Sequence, residues 1–281
     1  MNIGEKNIPF AKGVPLPELT VMTVTCRTQY MPLQANALKL QTFKDFEWLV
    51  VDDFCEKNRE SLTKYVDNKY PLIHVSPAEI KPYFATASAY NSTFRYVNGE
   101  LILFLVDYVV PSPTCLERHW EVHLKYPKAM ISGRTMQLVK EGLHKVGGDY
   151  RLWLFEKGFC KRTQLEENLY EVKRDSIQNW WMGRNDSAPL QPILDCNGLD
   201  ENFDGRWGGQ DADLANRLMT YGLGYILDTD DRSLCLEYPH VHGAKPAIKS
   251  EKEQQDIQDV INKRVDNGIY WIENGIKKEN K

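Results

Sequence analysis

The sequence predicts an α/β domain: a mostly parallel central sheet flanked by helices, with a C-terminal helical appendage. Three observations carry this. Strand-like and helix-like segments alternate between residues 18 and 75, the order that a parallel sheet with right-handed crossovers requires. Glu100-Leu-Ile-Leu-Phe-Leu-Val106 is an almost unbroken apolar run, the pattern of a strand buried on both faces. From Lys249 onward, Ile257, Val260, Ile261, Val265, Ile269 and Ile272 form one helical stripe.

Each element follows from local chemistry. Residues 18–25 are rich in β-branched side chains and follow Pro15 and Pro17, so they read as a first strand entered from an extended arm. Leu33, Ala37, Leu38 and Leu40 make 30–43 an amphipathic helix, with Pro32 tolerated in its first turn. Phe46–Val51 is a second strand ending at Asp52-Asp53, followed by a charged helix at 56–68 and a short strand at 72–75. Residues 84–98 read as helical, and Asn98-Gly99 turns the chain into the apolar run, which is expected to be a central strand. A helix at 113–125, a strand at 129–132, a helix at 211–221 and a strand at 224–227 complete the pattern. Residues 134–200 show no clean period and read as loops on the acceptor side. The C-terminal stripe predicts a helix docked on the body, with a partner or a membrane surface as alternatives. The organisation is an arm (1–17), one domain (18–235) and a C-terminal segment (236–281).

Composition excludes several classes. The 281 residues carry 35 Lys and Arg against 39 Asp and Glu, a net charge of −4. With no long basic cluster, the chain lacks the electrostatic footprint of a nucleic-acid binder. Six cysteines spaced 29 to 60 residues apart, with no CxxC pair, make neither a zinc ribbon nor a disulfide framework. Neither a signal peptide nor a transmembrane segment is expected, since the longest apolar run is Leu101–Val106. A cytoplasmic protein with free thiols is the expectation, peripheral membrane contact remaining open.

Four features fall where an α/β sheet presents the carboxyl ends of its strands, the place such folds bind ligands. Thr25-Cys26-Arg27 ends the first strand and Asp52-Asp53 the second. Asp107 emerges from the apolar strand, where an ionised group needs a metal, a ribose or an Arg beside it. The segment Asn202-Phe-Asp-Gly-Arg-Trp-Gly-Gly-Gln-Asp-Ala-Asp213 is a glycine-rich turn opening a helix, and Asp211 there reads as a general base or as a capping carboxylate. Downstream, His240 and His242 share one face of an extended segment, a spacing suited to a metal or a phosphate.

Together these segments resemble inverting GT-A glycosyltransferases of the family 2 type over about residues 18–228. Leu38 through Val50-Val51-Asp52-Asp53 is similar to that family's helix and Val-Asp-Asp signature. Asn91 through Glu100 resembles the helix leading into its Asp-x-Asp strand. Phe203 through Leu214 is similar to the Trp-Gly-Gly-Glu-Asp motif of galactosyltransferase-like members. The resemblance implies a Rossmann-like GT-A fold, a nucleotide-sugar donor and a glycan or glycoconjugate acceptor. It implies that Thr25, Arg27, Asp52 or Asp53, Asn91 and Asp107 border the donor, and that Trp181, Trp207, Gly209 and Gln210 border the acceptor. Asp211 becomes the base that deprotonates the attacking hydroxyl. A divalent cation, Mn²⁺ or Mg²⁺, is implied, with Asp107, His240 and His242 as ligands.

Two departures stand out. Val106-Asp107-Tyr108 replaces Asp-x-Asp, leaving one carboxylate in the middle, and Gln210 replaces the Glu before the base. The site either holds its cation through Asp107 and a histidine or works with cationic side chains alone. A degenerate domain that binds nucleotide sugar or glycan without turnover is the competing reading.

Overall fold

The computed structural model describes residues 16–27, 29–83, 85–138, 146–147, 161–173, 183–206, 208–238 and 251–276. Along the chain, β1 (Leu19–Thr25), α1 (Met31–Lys39), β2 (Phe46–Asp52), α2 (Cys55–Val66) and β3 (Leu72–Val75) alternate as the sequence predicts. Next come α3 (Thr86–Thr93), a 3₁₀ turn (Phe94–Tyr96), β4 (Leu101–Phe104), β5 (Val109–Pro111), α4 (Cys115–Lys125), β6 (Ala129–Ser132), β7 (Thr135–Leu138) and β8 (Val146–Gly147). The remainder is β9 (Arg162–Glu166), β10 (Leu169–Val172), β11 (Asp186–Pro189), α5 (Leu190–Asp195), α6 (Gln210–Tyr221), β12 (Gly224–Asp228), β13 (Cys235–Glu237) and α7 (Glu251–Asp266).

The main sheet has the order β3-β2-β1-β4-β11-β6-β12-β10-β9. It is parallel from β3 to β4 and between β6 and β12, while β11 runs antiparallel between β4 and β6. Alternate residues of the strands feed opposite faces. Leu19, Val21, Trp48, Val50, Leu101 and Leu103 pack with Met31, Ala35 and Leu38 of α1 and with Leu62 and Val66 of α2. Met22, Leu49, Val51, Ile102 and Phe104 pack with Tyr90 of α3 and with Leu214, Ala215 and Leu218 of α6. Each such fully buried side chain contributes about 1.5–3 kcal/mol, so helices on both faces are held by the same strands. The indole of Trp48 is fully buried and donates to the Thr23 hydroxyl at 3.0 Å.

Register fixes the upper edge of the sheet. Thr25 pairs with Asp52, Met22 with Phe104, Phe104 with Asp186, and Asp186 with Ser132. Thr25 lies three residues past Met22 and Asp107 three past Phe104, so both reach the same height above neighbouring strands.

Three differences from the sequence reading have physical causes. The apolar strand stops at Phe104, because the chain turns at Asp107 and Tyr108 to start β5, which pairs with β13 in a second, four-stranded sheet. Within 134–200, the described residues contain β7, the β9–β10 hairpin and the central strand β11 rather than loops alone. β11 hid because Asp186-Ser-Ala-Pro189 carries none of the side chains that mark strands, yet all four residues are buried. The C-terminal stripe divides: Ile257 and Ile261 pack on Phe203, whereas Val260 stays 38% exposed. The helix docks on the body, ending at Asp266, and Ile272 is buried beyond it.

Candidate functional site

The first strand's end and the apolar strand's end meet in an ion pair. Arg27 donates from Nη2 to Asp107 Oδ1 at 2.7 Å and from Nε to Oδ2 at 3.0 Å, a bidentate fork. The Thr25 hydroxyl donates to Asp107 Oδ2 at 2.8 Å, and the Arg27 N–H donates to the Thr25 hydroxyl at 2.8 Å. The guanidinium also lies over the Tyr108 ring, 5.4 Å from its centroid. Burial pushes the Asp107 carboxyl up, against the pull of Arg27 and Thr25. The same burial raises the Tyr108 hydroxyl to about 12.

The tandem aspartates divide their work. Asp52 Oδ1 accepts from the Phe54 N–H at 2.8 Å, launching α2, while Oδ2 takes Asn58 at 2.8 Å and His74 Nε2 at 3.1 Å. Burial opposes its charge, yet His74, Asn58 and the Phe54 N–H together hold its carboxyl below the ordinary range. Asp53 is half-buried, and its carboxylate has no hydrogen bond or ion pair among the described residues. Burial raises it, with Asp52 adding to the shift. Of the two, Asp53 is the one left open to a ligand.

Helix α3 brings one expected residue and one missed by sequence. Asn91 uses its amide on the segment ahead: Nδ2 donates to Leu199 O at 2.7 Å and to Glu201 Oε1 at 3.2 Å, and Oδ1 accepts from Leu199 N at 2.9 Å. It clamps α3 to the segment before the glycine-rich turn. Its neighbour Tyr90 is buried edge-on against Phe104, ring centroids 5.3 Å apart, and its hydroxyl has no partner among the described residues. Burial raises that hydroxyl, and the charges of Asp107 and Asp211 both add to the effect. The helix start is capped from afar, since Asp204 accepts from the Ala87 N–H at 3.0 Å and pairs with Lys81 at 3.0 Å.

The turn into α6 supplies the last group. Gly208 and Gly209 have φ of 79° and 99°, which a side chain rarely tolerates. A Cβ at Gly209 would also stand 2.7 Å from Ile257 Cγ2. Gln210, next in line, is buried with Oε1 unpartnered among the described residues. Asp211 occupies the first turn, its Oδ1 accepting from the Ala212 N–H at 2.9 Å. Burial lifts its carboxyl above the ordinary range, Asp186 adds to the lift, and Arg184 and the Ala212 N–H oppose it. Asp186 accepts from Ser132 and from the Arg184 N–H. Helix α6 itself is anchored by the fully buried Arg217, which pairs with Asp213 at 2.7 Å and donates to Gly198 O at 2.6 Å.

A divalent cation requires several oxygen or nitrogen donors around one point. Both oxygens of Asp107 are engaged by Arg27, and its neighbours Val106 and Tyr108 add no carboxylate. No three His, Cys, Asp or Glu side chains gather into a metal-holding group among the described residues. The described part of the site does not fit such an ion. Trp181, Trp207, His240 and His242 lie outside the described residues.

Sequence reasoning missed Tyr90, Arg184 and Asp186. Tyr90 sits beside the flagged Asn91 in an ordinary helical segment. Asp186 carries no local signal, because only the insertion of β11 beside β4 lifts it to the site's edge.

Comparison with known proteins agrees with this geometry. The family model described as "Glycosyl transferase family 2" matches residues 23–188. Two curated relatives are validoxylamine A glucosyltransferases of Streptomyces hygroscopicus, from subsp. jinggangensis (strain 5008) and subsp. limoneus, each 23% identical over 247 residues. Each match covers 81% of this chain and 56% or 52% of the relative, so the chain spans about half their length. Among solved structures, S. aureus TarS 1-349 in complex with UDP-GlcNAc superposes with a TM-score of 0.64 at 14% identity, covering 87% of this chain and 65% of that one. The UDP complex of the same fragment gives 0.62. The likeness establishes a GT-A fold. No described helix is long and apolar enough to cross a membrane.

Proposed function

The chain belongs to glycosyl transferase family 2, and on that premise we propose that it moves a sugar, with inversion, from a nucleoside-diphosphate sugar to a hydroxyl of a glycan or glycoconjugate. The observation that carries this reading is Asp211, a carboxylate in the first turn of α6 whose proton affinity is raised by burial. A base of raised pKa is the better proton acceptor near neutral pH, and such assistance contributes about 10²- to 10⁴-fold in rate. The UDP complexes of TarS support a uridine nucleotide as donor. The names of the validoxylamine A glucosyltransferases support transfer of a glucosyl group. The free, scattered cysteines support a cytoplasmic setting, where thiols stay reduced.

The acceptor oxygen attacks the anomeric carbon from the face opposite the diphosphate and gives its proton to Asp211. The bond from the anomeric carbon to the diphosphate oxygen breaks, and its electron pair leaves with the nucleotide. Asp53 and Thr25 border the nucleotide in this reading; the Gln210 Oε1 and the Tyr90 hydroxyl are buried and have no hydrogen-bond partner among the described residues. Gln210, Gly209, Trp207 and Trp181 form the acceptor side in this reading.

Donor-dependent transfer by the wild-type chain, falling about 10²- to 10⁴-fold in Asp211→Asn with donor binding intact, is the expected result. Full activity in that variant removes Asp211 as the base. Donor binding with neither transfer nor release of nucleoside diphosphate in the wild type favours a binding domain without turnover.

A further inference from the structure

We propose that Cys115 and Cys235 form a modification site, at which hydrogen peroxide closes a disulfide that ties the first turn of α4 to β13. The site is independent of the donor-binding reading above.

The fold brings two sulfurs together from positions 120 residues apart in the chain. Pro111, at the end of β5, pairs with Cys235, and the Ser112 N–H donates to Leu234 O at 2.8 Å. The hydroxyls of Ser112 and Thr114 both donate to Arg232 O at 3.1 Å. Between segments stitched in this way, Cys115 opens α4 with its Sγ 3.6 Å from the Sγ of Cys235. Both residues are thiols rather than halves of a disulfide, and both are fully buried. A disulfide holds its sulfurs about 2.05 Å apart, so the pair has about 1.5 Å left to close.

The surroundings select Cys115 as the attacking thiol. Burial pushes the thiols of Cys26, Cys55 and Cys196 up. At Cys115 the bond with Cys235 draws the thiol below its ordinary value; burial opposes this and His119 adds to the pull. His119 lies one turn along α4, its Nδ1 2.8 Å from the Ser187 hydroxyl and its Nε2 3.0 Å from Asn185 Oδ1. Asn185 Oδ1 also accepts from the Cys115 thiol at 3.4 Å. The thiolate is the nucleophile in oxidation and in disulfide formation, and full burial restricts the oxidant to a small molecule.

The Cys115 sulfur attacks one peroxide oxygen, the O–O bond breaks, and the departing hydroxide takes the thiol proton to become water. Cys115 is then a sulfenic acid. The Cys235 sulfur attacks it, the S–S bond forms, the S–O bond breaks, and the second hydroxide leaves as water with the Cys235 proton. Each sulfur gives up one electron, and the peroxide takes both.

The test treats the folded full chain with equimolar hydrogen peroxide, denatures it in N-ethylmaleimide and maps the peptides by mass spectrometry without reductant. A linked pair of peptides carrying Cys115 and Cys235, released by dithiothreitol, is expected. In Cys235→Ser the reaction is expected to stop at a Cys115 sulfenic acid that dimedone captures, whereas in Cys115→Ser the Cys235 thiol is expected to survive. The bond closes a long loop, so the oxidised wild-type chain should melt about 5–15 °C higher than the reduced one. Cys115 and Cys235 both recovered as maleimide adducts while other cysteines are oxidised, or a bond from either one to a different cysteine, overturns the proposal. An oxidised pair with no gain in melting temperature overturns the tie between α4 and β13.

Discussion

Gly209 and Ile257 lie so close that a Cβ on the glycine would stand 2.7 Å from the isoleucine Cγ2. The C-terminal helix α7 therefore seats directly on the residue that caps helix α6, the helix that carries Asp211. Its hold is reinforced by Arg264, which bonds both Asp200 and Asp213. The contact also braces the glycine turn that leads into Asp211.

Gly209→Ala should therefore damage the turn twice, by the strain of φ 99° and by collision with Ile257. The strain alone costs about 1–3 kcal/mol. The double variant with Ile257→Ala should recover the steric part and leave the strain. Chemical denaturation of the two variants measures this, and equal stability of both would show that the close contact is unimportant.

Among the described residues, removing the Arg264 side chain leaves Asp200 without an ion pair and Asp213 with Arg217 alone. A loss of about 3 kcal/mol is expected, together with a lower transfer rate, because α7 then loosens over the turn that leads into Asp211. Proteolysis near α7 should become faster in Arg264→Ala. Unchanged cleavage and rate would mean that the helix is held by Ile257 and Ile261 alone.

The pH profile of transfer should carry the signature of Asp186. As the proposed base, Asp211 would act only when deprotonated, so the rate is expected to rise with pH through its raised value. Asp186 contributes a like charge to that rise and Arg184 opposes it. Asp186→Asn should then move the acidic limb to lower pH, and Arg184→Met should move it to higher pH. Profiles of kcat/KM for the two variants decide this; limbs that coincide with wild type would exclude electrostatic tuning of Asp211.

Asp52 is expected to report on stability rather than donor binding. Its folded-state carboxyl lies below the ordinary value, so the stability it contributes is present above the unfolded aspartate range and is lost as pH falls through the folded value. Asp52→Ala should cost about 2–4 kcal/mol at neutral pH, with the gap to wild type closing in acid. Nucleotide affinity should change little. A large loss of affinity with stability intact would reverse the roles of Asp52 and Asp53.

Much of the frame was legible because it rests on local chemistry. The strands at 19–25, 46–52 and 101–104 announce themselves by β-branched and apolar runs, and α6 by a glycine turn followed by aspartates. β11 could not be read, since small polar residues become a central strand only when β4 and β6 bury them on either side. The β5–β13 pairing was equally hidden, as it joins segments about 126 residues apart, Val110 pairing with Leu236.

By itself the sequence determined the α/β class, the strand ends that carry Thr25, Arg27, Asp53 and Asp107, and the helix start that carries Asp211. Those follow from periodicity and turn chemistry, which act between near neighbours. Only the tertiary structure decided that Asp107 is spent on Arg27, that Asp52 is spent on His74 and Asn58, and that Asp186 and Tyr90 stand at the same edge. A carboxylate's role depends on which distant donor reaches it first, and that is set by strand register and sheet order, not by its own neighbours in the chain.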